Sequence, residues 1–89
     1  MANIRTYTAT FTAAFDDDTI ICNSTGFVVG TIPAPTTCLG KQLTLVNLGT
    51  GTFVISPAYR INSTTTSGSV AAGNRITVHS NGTDWIQIR

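Results

Sequence analysis

Carboxylates stand in two places along this 89-residue chain, the run Asp16-Asp17-Asp18 and the isolated Asp84. General acid and base catalysis needs paired titratable groups in one pocket. Three consecutive aspartates in an extended chain point alternately to opposite sides and do not converge unless the backbone turns. The run therefore reads as a solvated turn held by side-chain to backbone hydrogen bonds, with a weak calcium site from Asp16 and Asp18 as the sharper alternative. His79 is the sole histidine, and no nucleophile is spaced to work with it. Cys22, Cys38 and His79 together fall one protein ligand short of a structural zinc site. The expectation is a protein that is not an enzyme and holds no cofactor and no metal.

Recognition chemistry gives four further candidates. Tyr59 and Trp85 offer rigid amphipathic rings for a glycan, and Ser63 and Thr64 lie beside Tyr59 in a hydroxyl-rich stretch. The competing role for Trp85, the one tryptophan, is to pack the last strand onto the core. The five basic residues Arg5, Lys41, Arg60, Arg75 and Arg89 form no stripe that could displace counterions from phosphates, so no nucleic acid is expected as partner. No apolar run approaches the roughly 20 residues of a membrane-spanning helix, and no membrane partner is expected.

The elements that must carry these residues are strands. Seventeen Thr and eight Gly, against one Lys and no Glu, favour a pleated and half-buried surface over helices. Tyr7 to Phe15 alternates apolar and polar, as one long strand would. Further strands are expected over Thr19 to Cys22, Phe27 to Ile32 (ended by Pro33 and Pro35), Lys41 to Leu48, Thr52 to Ser56, Arg75 to Ser80 and Thr83 to Ile88, with a short one beginning at Val70. Gly49-Thr50-Gly51 predicts a hairpin between two of them, and Asn81-Gly82 predicts a type I′ hairpin turn. Pro57 to Gly68 reads as irregular, anchored by Tyr59 and Ile61. The whole predicts one all-β domain spanning 1–89, a small antiparallel sandwich or jelly roll of seven or eight short strands, without internal repeats. Cys22 and Cys38 read as small buried hydrophobes, with a disulfide between them left open.

Charged residues are 10% of the chain, where an ordinary domain carries about 25%. A neutral exterior of Thr, Ser, Asn and Gly suits a subunit that lives against neighbours, because interfaces are depleted in Lys, Glu and Asp. Met1 to Phe15 lacks the basic and apolar blocks of a secretory signal, so synthesis in a reducing cytoplasm is expected. Ala2, Asn3, Ile4 and Arg5 read as an arm reaching such a neighbour.

The stretch Gly40 to Ile55, GKQLTLVNLGTGTFVI, and the later Ala72 to Trp85, AGNRITVHSNGTDW, resemble a β module of tailed-bacteriophage structural proteins. There "GKxxTIKNxGTGTVTI" precedes "AGxSVTLxSDGTxWxxI". Asp17 to Cys22 and Val28 to Pro35 are similar to the module's upstream part, so the likeness covers residues 6–89. His79 and both cysteines depart from that pattern. The resemblance implies a virion location after assembly in the host cytoplasm, either as a capsid decoration (cement) protein bound to the major capsid protein or as a receptor-binding tail-fibre tip. It also implies self-association, as a trimer first and a dimer second.

Overall fold

The computed structural model describes residues 4–13 and 17–89. Nine strands follow one another: β1 Ile4–Tyr7, β2 Phe11–Thr12, β3 Thr19–Cys22, β4 Val28–Thr31, β5 Gln42–Asn47, β6 Phe53–Arg60, β7 Thr66–Val70, β8 Arg75–Ser80 and β9 Trp85–Gln87. A single 3₁₀ turn, Pro35–Thr37, is the one helical piece among the described residues. The all-β domain expected from composition is what is found.

The strands join into one sheet in the order β1-β3-β5-β8-β9-β6-β4-β2, with β7 attached to β6. The sheet is folded back on itself, so that β1, β3, β5 and β8 make one wall and β2, β4, β6 and β7 the other, with β9 bridging β8 and the end of β6. Odd and even strands alternate between walls because the chain winds in coils: β1 then β2, β3 then β4, β5 then β6. Winding of this kind makes the ladders within each wall parallel, and β1 with β3, β3 with β5, β2 with β4 and β4 with β6 all pair in that sense. Antiparallel pairing, expected throughout, is confined to β5 with β8, β6 with β7 and β8 with β9.

The predicted hairpin at Gly49-Thr50-Gly51 is replaced by a corner. Leu48 N donates to Cys22 O (2.8 Å) and Gly51 N to Ser24 O (3.0 Å), so this corner bonds to the one beneath it instead of closing on itself. The register shows a repeat that was not expected. Thr19 faces Thr44, Cys22 faces Asn47, Val28 faces Phe53 and Thr31 faces Ser56, a constant offset of 25 residues. Gly49 and Gly51 are required there, since a Cβ on either would run into the backbone of Ser24 or Gly26.

Between the walls lies one apolar core, including Ile20, Val28, Leu43, Leu45, Phe53, Val78 and Trp85. These positions alternate with outward ones, as a period of two demands. Two other local expectations change. The expected strand Tyr7 to Phe15 bends over Thr8 to Thr10 into β1 and β2, and Ala14 and Phe15 lie outside the described residues. The segment from Pro57 to Gly68 is irregular only over 61–65: β6 continues through Pro57 to Arg60, with its register against β7 shifting between Val54 and Tyr59, and β7 begins at Thr66. A proline without an N–H is tolerated where the ladder is already interrupted.

The last turn also differs from expectation. Ser80 faces Trp85, leaving a four-residue loop in which Asn81 Oδ1 accepts from Thr83 N (3.0 Å) and Asp84 N (2.8 Å). A type I′ turn needs positive φ at both central residues. Here Gly82 alone has it, at 90°, because the Asn81 side chain is occupied in holding the loop.

Candidate functional site

Both predicted recognition aromatics are in the core. Trp85 is wholly buried, and its indole N–H donates to Pro33 O at 3.0 Å. Tyr59 faces it from β6 across a parallel ladder, also buried, with its hydroxyl donating to Ser69 O at 2.8 Å. Neither ring presents a face to a ligand. Ser63 and Thr64 sit on an exposed loop organised by Asn62, whose Oδ1 accepts from Thr64 N, Thr64 Oγ1 and Thr65 N. Ile61, expected as an anchor of this segment, is about half exposed.

The acidic residues are dispersed. Asp16 lies outside the described residues, so the calcium pairing of Asp16 with Asp18 does too. Asp18 pairs with Lys41 (3.0 Å) and Asp84 with Arg60 (3.0 Å), both near the surface. Such pairs contribute roughly 0–1 kcal/mol each. Asp17 is different, being fully buried. Its Oδ2 accepts from the Tyr7 hydroxyl at 2.8 Å and its Oδ1 meets Arg5 Nε at 2.6 Å.

Among the described residues no three of His, Cys, Asp or Glu come together as metal ligands would. His79 Nε2 lies 3.1 Å from Gly40 O. Both cysteines are free thiols. Cys22 is buried and burial pushes its thiol pKa up, while Cys38 is half-buried with Sγ donating to Ala34 O.

What the surface does offer is at one end of the molecule. β1 and β2, the two ends of the sheet path, both belong to the first coil. Tyr7 and Phe11, one from each, stack at 3.7 Å with rings within 4° of parallel. Gly30 beneath makes the room, since a Cβ there would stand 2.5 Å from the Phe11 ring. Of the candidate arm, Ala2 and Asn3 lie outside the described residues, while Ile4 and Arg5 form part of β1. Arg5 is tied to Asp17, and Ile4 is 64% exposed. Phe27 and Leu48, at the ends of the stacked corners, and Leu39 are exposed apolar residues elsewhere.

No family model, curated protein or solved structure matches this chain.

Asn47 escaped the sequence reading. It sits in β5 among apolar residues, fully buried, and its Nδ2 donates to Gly51 O (3.0 Å) and Val70 O (2.9 Å). It ties the corner after β5 to the end of β7. A lone amide in an apolar strand, two residues before a glycine, was the available signal.

Proposed function

We propose that this chain is a non-enzymatic structural subunit of a bacteriophage virion, a capsid decoration protein that binds the assembled shell through contacts with the major capsid protein and with itself. The observation that carries this reading is a charge-poor surface bearing unpaired strand edges and exposed Ile4, Phe27, Leu39 and Leu48. Exposed apolar side chains and open edges serve contact with other chains. The sequence resemblance to tailed-phage modules supplies the kind of assembly. A protein that binds the closed shell and not its free subunits stabilises the shell by mass action, and this needs no catalysis.

A tail-fibre tip reading a host glycan is the other phage role, but the burial of Tyr59 and Trp85 removes the two rings expected to serve it. The deciding experiment is quantitative mass spectrometry of purified particles. Copy numbers near those of the coat protein are expected. A few copies per particle would move the chain to the tail or a vertex, and absence from particles would overturn the proposal.

A further inference from the structure

The free hydrogen-bonding groups of the sheet can be assigned from the ladders. Asn23 N donates to Tyr7 O, so Tyr7 turns its backbone groups toward β3. By alternation Arg5 does the same, while Ile4 and Thr6 turn theirs outward. On the other wall Ala13 N donates to Thr31 O, so Phe11 also faces β4 and Thr12 faces away. Among the described residues, β1 and β2 have no strand on these outer sides.

The opposite end is built differently. β8 and β9 bond to each other and to β5 and β6, joining the walls, while β7 runs along β6 on the side away from β4. The third free edge, on β7, is kinked by the register shift against β6, a common device for discouraging edge pairing. β1 and β2 are short but carry no proline, no bulge and one charge, Arg5, already engaged by Asp17.

We infer that two copies of this chain pair open end to open end, β1 and β2 of one meeting the same coil of its partner about a two-fold axis. Head-to-tail stacking would set the open edges of β1 and β2 against the joined β8 and β9 and the kinked edge of β7, which do not match them, so it does not propagate into a filament. A two-fold pair uses the same surface on both copies and closes. Ile4, exposed in the single chain, is covered in the pair. This inference stands apart from the virion assignment, since it concerns the isolated protein.

Sedimentation equilibrium of the full chain tests it, with hydrogen exchange at the Thr6 and Thr12 amides. The expected species has twice the 9.4 kDa chain mass, with both amides protected. Thr6→Pro removes an outward N–H and no ladder bond, and the double-mass species should be lost while Trp85 fluorescence keeps its buried character. Should the proline distort β1, Ile4→Lys places like charges across the axis and should also give monomers. A wild-type monomer at all concentrations, a trimer, protection of these amides only when coat protein is added, or a dimer that survives Ile4→Lys would each overturn the inference.

Discussion

Gly49 lies directly on Ser24, 25 residues earlier, with no space between them for a side chain. Gly51 lies on Gly26 in the same way. The stacking of these two corners sets the spacing of the coils, because the strands on either side of each corner are held in the same offset.

Alanine at Gly49 or Gly51 should therefore cost about 2–3 kcal/mol or more, in the range of overpacking against a fixed backbone. Gly26→Ala, whose Cβ would meet only Ser24 Oγ at 3.9 Å, should be nearly neutral. Urea denaturation midpoints measure the difference, and equal losses at all three positions would contradict the stacked corner.

Tyr7→Phe removes a hydroxyl that donates to the buried Asp17 carboxylate. A hydrogen bond to a charged group contributes about 1.5–3 kcal/mol, and the ring stack on Phe11 survives the change. The expected loss is of that size in denaturant titrations, with near-native circular dichroism.

Trp85→Phe deprives Pro33 O of its donor and leaves a void in a fully buried site. Trp85→Ala should cost about 3–5 kcal/mol, as for large aromatic deletions in cores, and Trp85→Phe less. In the wild type, Trp85 emission should be blue-shifted and shielded from iodide.

Cys22 is held protonated by burial, its pKa raised by desolvation. The folded state therefore holds this proton to higher pH than the unfolded chain does. Stability from this group is undiminished below the ordinary thiol range near 8.5 and falls as pH rises beyond it. A Cys22→Ala variant should show a flatter decline of melting temperature between neutral and alkaline pH. In the native protein a thiol reagent should modify Cys38 well before Cys22.

Strand composition and turn positions were legible in the sequence, because Thr, Val and Ile alternate along β3, β5 and β8 and glycines stand at the corners. Strand partners were not. A glycine-containing turn between two alternating runs predicts a hairpin on local grounds, and at Gly49 to Gly51 long-range bonds to Cys22 and Ser24 won instead. The 25-residue period shows as Thr19 with Thr44, Thr25 with Thr50, Gly26 with Gly51 and Val29 with Val54, but the residues between them differ. Such a repeat is written in backbone contacts more than in side chains. Trp85 and Tyr59 were misplaced as recognition candidates because an amphipathic ring suits a core as well as a surface once its polar atom finds a carbonyl, as both do here. The open edges of the first coil could not be read at all, since an edge is defined by what the rest of the chain fails to cover.

The closing strands of the sheet have a bearing on synthesis. β8 and β9 complete the ladder between one wall and the other, and they occupy residues 75–87. While a ribosome is still making the chain, the earlier coils have emerged without the strands that close them. Their parallel ladders join segments 15 to 25 residues apart, a topology that forms slowly. Completion of the fold thus waits for residues 75–87, and until they have emerged the edge of β5 away from β3 stands open to neighbouring nascent chains.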